Sequence, residues 1–283
     1  MIILKLQGGL GNQMFQYSAG LALSKRLNTT LRLDISYYKN DKKRKFSLDD
    51  FNISAKEATE KDILSLSDSI LINAYKKIFR RHAEKKMFAN SYFYDKSFEK
   101  ISDNSIIEGF WQNEKYFKDV EKIIRHEFRL KNDLSEKSAE LERKINGDNS
   151  VSVHIRRGDY TLPKYRKIFY ECSVEYYTLA IKYILDIVPN AEFFVFSDDL
   201  EWAKNIPFPK KTNFVGKELG LRDSEELILM SRCKHNIIAN SSFSWWAAWL
   251  NQNDKKIVIG PKNWSSFQTD KLREPMPETW YKI

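Results

Sequence analysis

The sequence predicts an α/β protein built on parallel sheets. Three observations carry this. Short apolar runs alternate with helical patterns through the second half of the chain. A strand, glycine loop, helix and strand open the first half. The 283 residues, 42% of them hydrophobic, are long for one domain and comfortable for two.

Taken in order, Met1 to Gln7 reads as a short strand and Gly8-Gly9-Leu10-Gly11 as a tight loop. A helix follows from near Asn12 to Leu27, with Phe15, Ala19, Ala22 and Leu23 on one side. Leu31 to Asp34 is the next strand. Residues 39–45 read as a solvated basic loop, and 75–86 as an exposed basic helix face, for which solvation is favoured over contact with anionic lipid. Residues 133–147 read as a helix with Gly147 as its C-cap. The domain boundary is placed there, giving domains 1–148 and 149–283. Beyond it come a strand at 150–155, a helix at 173–188 stopped by Pro189, and a strand at 192–197 running into Asp198-Asp199. A strand at 213–215, a helix at 223–232, a strand at 236–239, a helix at 243–251 and a strand at 257–259 complete the pattern. The tail from 261, with three prolines, Trp264 and Trp280, is expected to pack across the surface. This alternation implies helices on both faces of a parallel sheet.

A net charge of +9 favours an anionic partner and leaves nucleotide, nucleic acid and acidic membrane surface open. The 14% aromatic content suits clefts that hold sugars or bases. Met1 to Gln7 is too short for a signal peptide, and no apolar run reaches the roughly 18 residues of a spanning helix. Cys172 and Cys233 have no zinc or redox spacing and are expected to be free thiols in a reducing cytoplasm.

Three loops carry residue types suited to one anionic ligand. In Gly8 to Gln13, glycines let backbone approach a phosphate at a helix start, with Asn12 and Gln13 as neutral partners. The pattern is neither a dinucleotide fingerprint nor a P-loop, and Asn12 reads equally well as an N-cap. The second loop is the heptad His154-Ile-Arg-Arg-Gly-Asp-Tyr160, leaving the carboxyl end of an apolar strand, the edge where open α/β sheets bind ligands. Adjacent arginines there suit phosphate oxygens, although a surface turn with a salt-bridged arginine pair would look similar. Alternation puts His154 and Arg156 on one side and a structural Arg157 on the other. The third is Ala239-Asn-Ser-Ser-Phe-Ser-Trp-Trp246, where Ser241 and Ser242 offer hydroxyls and free N–H groups at a helix start. Trp245, Trp246 and Trp249 at helical spacing read as core. No Asp-x-Asp occurs, and the adjacent Asp198 and Asp199 should diverge. A departing diphosphate would therefore rely on arginine and helix N-termini, with no metal.

Four segments together resemble the bacterial α-1,2-fucosyltransferases, the family (glycosyltransferase family 11) that includes the mammalian blood-group H enzymes. They are Gln7-Gly-Gly-Leu-Gly-Asn-Gln-Met-Phe-Gln-Tyr17, the arginine heptad, Phe196-Ser-Asp-Asp199, and Leu227 to Leu250. Gly109-Phe-Trp-Gln112 also resembles a family segment. The resemblance implies a GT-B fold, two Rossmann-like domains facing across a cleft. It implies inverting, metal-independent transfer of L-fucose from GDP-β-L-fucose to the 2-hydroxyl of a β-galactoside, in surface-glycan or O-antigen synthesis. No cofactor is implied. It assigns donor binding to Gly11, Asn12, His154, Arg156, Asp198, Glu226, Asn240, Ser241, Ser242 and Phe243, and acceptor binding to Trp111 and Gln112. Arg156, Asp159 and His154 are the expected catalytic residues, with Asp159 either the base or a salt-bridge partner of Arg157. Glu226 stands where the family more often has Asp, facing guanine. The acceptor is expected to be an oligosaccharide, lipid-linked or free, and the protein cytoplasmic, with peripheral contact at the inner membrane left open. Two rivals are another GT-B transferase of different linkage and a non-catalytic nucleotide or nucleic-acid binder. Against the binder, the positive residues are scattered and no RNA-binding signature occurs.

Overall fold

A computed structural model describes residues 1–67, 94–147, 149–162, 170–265 and 275–283. The basic stretch 75–86 lies outside the described residues. Contacts divide the chain into two compact units, with main segments Met1–Lys131 and Asn132–Asp270.

The first unit carries β1 (Ile2–Lys5), α1 (Leu10–Arg26), β2 (Leu31–Asp34), α2 (Tyr37–Asn40), β3 (Lys56–Glu57), α3 (Glu60–Ser67), β4 (Ser105–Glu108) and α4 (Glu121–Glu127). Its four-stranded sheet has the order β3-β2-β1-β4, with every pairing parallel. β1 is central and its Ile2, Ile3 and Leu4 are fully buried, as expected for a strand covered on both faces. α1 begins at Leu10, two residues before the expected start, because Gly9 takes the N-cap position with no side-chain cap. Asn12 is therefore inside the first turn and does not cap the helix.

The second unit carries α5 (Glu136–Ile145), β5 (Ser150–Ile155), α6 (Val174–Ile187), β6 (Glu192–Ser197), α7 (Leu200–Ala203), β7 (Thr212–Val215), α8 (Asp223–Arg232), β8 (His235–Ile237), α9 (Ser242–Leu250), β9 (Val258–Gly260) and β10 (Tyr281–Lys282). Its six-stranded sheet has the order β10-β9-β8-β5-β6-β7, again parallel throughout. The order reverses beside β5, so the loop after β5 opens at a topological switch point, where α/β sheets bind ligands. The tryptophans of α9 are core, as expected. Trp245 and Trp246 are fully buried, Trp249 stacks on Trp245 at 6.3 Å between centroids, and Trp280 of the tail packs on Trp245 at 5.5 Å. Aromatic burial of this size fixes the start of α9 against the sheet. Among the described residues, no helix is long and apolar enough to cross a membrane.

The break between units falls at 131/132, ahead of the 148 read from the sequence, and α5 belongs to the second unit. The cause is a side-chain anchor. Ser135 caps α5, and its backbone N–H donates to buried Glu225 Oε1 at 2.6 Å; Glu142 and Arg232 form an ion pair between α5 and α8. Helix α5 ends at Ile145 with Asn146 as the C-cap, leaving Gly147 one position beyond. Burial pushes the Glu225 carboxyl up, but the Ser135 N–H and the Arg222 side chain and N–H outweigh it and hold it at about 2. The folded value lies below the ordinary one, so this stabilisation is present above pH 4.5 and is lost as pH falls toward 2. Glu225→Gln should cost on the order of 1–3 kcal/mol at pH 7, and urea melts should show the gap to wild type closing with acidification.

Candidate active site

The parallel register explains the centre of the site. β5 pairs with β6 so that His154 is level with Phe196 and Ile155 with Ser197. One step further puts Arg156 beside Asp198, and the next puts Arg157 beside Asp199. The side chains follow: Arg156 Nη1 meets Asp198 Oδ2 at 2.7 Å, and Arg157 Nε meets Asp199 Oδ2 at 3.0 Å. Asp198 Oδ1 also accepts the Arg157 backbone N–H at 2.8 Å. Asp198 is thus the carboxylate that seats Arg156, a role not read from the sequence. Asp198 and Asp199 diverge as expected. Gly158 has a steric reason, since a Cβ there would lie 2.6 Å from Asp198 Oδ2.

Arg157 is a strut. It pairs with Asp199 and Glu171, and its guanidinium lies 4.3 Å from the centroid of Trp202. Of the two readings of Asp159, the salt bridge to Arg157 does not occur among the described residues; its Oδ2 lies 3.7 Å from Arg156 Nη2. The turn after β5 (Gly158–Thr161) bends back toward Arg156, while Arg157 points to β6 and α7. His154 is buried at 8% exposure, and its ring lies 5.5 Å from that of Phe243. Burial drives its pKa down to about 4, partly opposed by the Asp198 charge and reinforced by Arg156. His154 is therefore a neutral imidazole at physiological pH, and its buried Nδ1 has no hydrogen-bond partner among the described residues.

The loop after β8 sits beside the heptad. Ser241 is the N-cap of α9, its hydroxyl accepting the Phe243 N–H at 3.3 Å, and Ser242 is the first helical residue. The Asn240 amide is spent on structure, donating to the carbonyls of Tyr170 at 2.6 Å and Trp264 at 3.0 Å. Tyr160 of the heptad donates to the Asn240 carbonyl at 3.0 Å, tying the two loops. Glu226, in the first turn of α8, is half-buried. Burial lifts its carboxyl to about 7; the charges of Asp223 and Asp198 add to this and Lys217 opposes it.

In the first unit, the loops after β1 and β4 meet. Gln112 Nε2 donates to Asn12 Oδ1 at 2.7 Å, joining an expected donor residue to an expected acceptor residue. Gly8 adopts φ +82°, and a Cβ there would lie 2.8 Å from Asn12 Nδ2. Gly11 is buried in the first turn of α1. Trp111 has φ +45°, a strained backbone for a bulky residue, and packs on Phe98 at 5.6 Å. Arg44 of the basic loop is only half exposed and reaches to within 3.5 Å of the point where a Gly9 Cβ would sit.

Known proteins bear out the family. The chain is 38% identical over 290 residues to an Escherichia coli alpha-1,2-colitosyltransferase, covering all of this chain and 99% of that one. It is 35% identical over 285 residues to the E. coli O-antigen biosynthesis glycosyltransferase WbnK, covering 92% and 93%. Galactoside alpha-(1,2)-fucosyltransferase 1 of Leontocebus fuscicollis matches at 29% over 52% of this chain and 43% of that relative. The crystal structure of the fucosyltransferase NodZ from Bradyrhizobium superposes with a TM-score of 0.50 at 16% identity, covering 87% of this chain and 90% of that one, which is a likeness of fold. The two Rossmann-like halves are those of the GT-B class. The family profile described as Glycosyl transferase family 11 matches residues 1–283, and the chain belongs to that family.

Proposed function

We propose that this chain transfers L-fucose from GDP-β-L-fucose to the 2-hydroxyl of a terminal β-galactoside, with inversion and without a metal, in surface-glycan or O-antigen synthesis. The observation that carries the reading is Arg156, seated by Asp198 at the switch-point loop beside the serine turn of α9. Its guanidinium is the positive group available to a departing diphosphate. The acceptor oxygen attacks fucose C1 as the bond from C1 to the β-phosphate oxygen breaks. The bonding electron pair leaves with GDP, and the hydroxyl proton passes to the Asp159 carboxylate. His154, neutral, offers an imidazole nitrogen to the diphosphate or nucleoside. The hydroxyls of Ser241 and Ser242 cradle phosphate, joined by the Phe243 N–H once phosphate displaces the Ser241 Oγ that accepts it, Glu226 accepts from guanine, and Asn240 shapes the turn. The family resemblance assigns Gly11 and Asn12 to the donor and Trp111 and Gln112 to the acceptor.

A second reading keeps this chemistry and changes the sugar. The full-length similarity to a colitosyltransferase favours colitose, the 3-deoxy counterpart of fucose, as the rival donor. GDP-fucose and GDP-colitose should be compared against β-galactosides in excess EDTA, with product linkage read by NMR. The expected result is an α-1,2 product formed at an undiminished rate in EDTA. Activity lost in EDTA and restored by Mn²⁺ would overturn the metal-free step, and preference for GDP-colitose would transfer the assignment to that donor.

A further inference from the structure

The loop between α2 and the buried Ser47 is more than a solvated connection. Residues 39–45 hold Lys39, Lys42, Lys43, Arg44 and Lys45 against one acid, Asp41. That carboxylate is used locally: it accepts the backbone N–H groups of Lys43 at 2.7 Å and Arg44 at 3.0 Å, and the Tyr37 hydroxyl. All four lysines are exposed, and among the described residues none of them forms an ion pair. Tyr37, 41% exposed, stands at the base of the loop.

The loop is also bolted in place. Gln13, fully buried in α1, donates through Nε2 to the Lys45 carbonyl at 2.8 Å and accepts the Ser47 N–H at 2.9 Å through Oε1. The same Nε2 reaches the Gly8 carbonyl at 3.0 Å, and Tyr38 donates to that carbonyl at 3.2 Å. The lysines are therefore held at the sheet edge that carries the Gly8–Asn12 loop. Anchoring of this kind lowers the backbone entropy left to lose when a partner arrives.

We propose that this loop docks the first unit onto an anionic lipid surface, the lysines facing the headgroups and Tyr37 entering the interface. Charge complementarity selects the occupant. Four exposed ammonium groups within seven positions, none in an ion pair among the described residues, match many spread charges, and an exposed tyrosine beside them suits the water–lipid boundary. The orientation brings the edge with Asn12 and Gln112 toward the surface.

Vesicle co-sedimentation tests this. Phosphatidylcholine vesicles containing about a third phosphatidylglycerol should bind the full chain at low salt, and pure phosphatidylcholine should not. Each lysine contributes on the order of fivefold in partitioning, so the combined Lys39→Ser, Lys42→Ser, Lys43→Ser, Lys45→Ser variant should lose about 10²-fold or more. A control removing Lys118, Lys122, Lys182 and Lys255 carries the same net charge and should keep most of the binding. Titration with GDP should be unchanged in both variants, which establishes that they are folded and separates this result from the proposed transfer reaction. Equal loss in the control, equal binding to neutral vesicles, or no binding by the wild type would overturn the proposal. So would loop-dependent binding of duplex DNA without vesicle binding.

Discussion

Arg156→Lys should lower kcat on the order of 10²-fold, nearly as far as Arg156→Ala. The arginine is held in place by its ion pair with Asp198, Nη1 lying 2.7 Å from Oδ2, and its guanidinium carries further N–H groups for a diphosphate. Lysine keeps the charge and can still meet Asp198, but it has one compact ammonium and cannot serve a carboxylate and a diphosphate in one plane. Losing a contact of about 3 kcal/mol to the developing charge gives a rate loss of that size. Single-turnover rates with GDP-fucose and a β-galactoside measure it directly. Arg157→Lys should differ in kind, since Arg157 is bound to Asp199, Glu171 and the Trp202 face. Its cost should appear in the melting temperature, with a milder loss of rate. If Arg156→Lys keeps most of the wild-type rate, the leaving group is stabilised elsewhere.

Glu226→Gln should weaken GDP-fucose binding and strengthen the unliganded fold, a pairing of effects expected of a binding residue held at a cost. The amide presents a donor to guanine donors and loses a charge-assisted acceptor, for about 1–3 kcal/mol in affinity. The loss should fall on KM more than kcat, because the base is remote from the reacting carbon. The sign of the pH dependence follows from the carboxyl lying near 7 when its ordinary value is 4.5. A raised value means that the folded protein favours the protonated form. That advantage is complete below pH 4.5 and is lost as pH rises through 7, leaving a buried charge. The Gln variant removes this burden and should be more stable than wild type by about 1–2 kcal/mol at pH 8 after discounting for partial exposure, and no more stable at pH 4. Ionisation is also what guanine requires. Wild-type affinity for GDP-fucose should therefore rise by about an order of magnitude from pH 6 to pH 8, and that of the Gln variant should stay flat. Calorimetric titration and thermal melts at the three pH values decide both parts. Unchanged affinity in the variant would leave Glu226 a helix carboxylate and move guanine recognition to another group.

Much of the site was legible because its residues are adjacent in sequence and each loop ends an apolar strand. The heptad, the Asp198-Asp199 pair and the serine turn are all legible this way, and the tryptophan core of α9 is legible from its helical spacing. The spacing carries a further signal. The Arg-Arg and Asp-Asp pairs stand at the same offset beyond two six-residue strands, 150–155 and 192–197, so parallel pairing in register had to bring them together. Asn12 shows the opposite case. Its position before a helix suggested a cap, yet the glycine ahead of it took that role and Gln112, 100 residues on, took its side chain.

The sequence alone determined the parallel α/β class, the β1-loop-α1-β2 opening, the alternation of strands and helices from 150 to 259, and which loops hold charge, because hydrophobic period and turn chemistry are local; the short strands β3, β4 and β10 were not legible in it. Only the tertiary structure decided that Asp198 seats Arg156, that Asp159 faces Arg156, that α5 joins the second unit through Glu225, and that the basic loop is pinned by Gln13. Burial within it also drives the His154 pKa down and the Glu226 pKa up. Each of these depends on partners far apart in the chain, and desolvation sums over every neighbour that packing brings near.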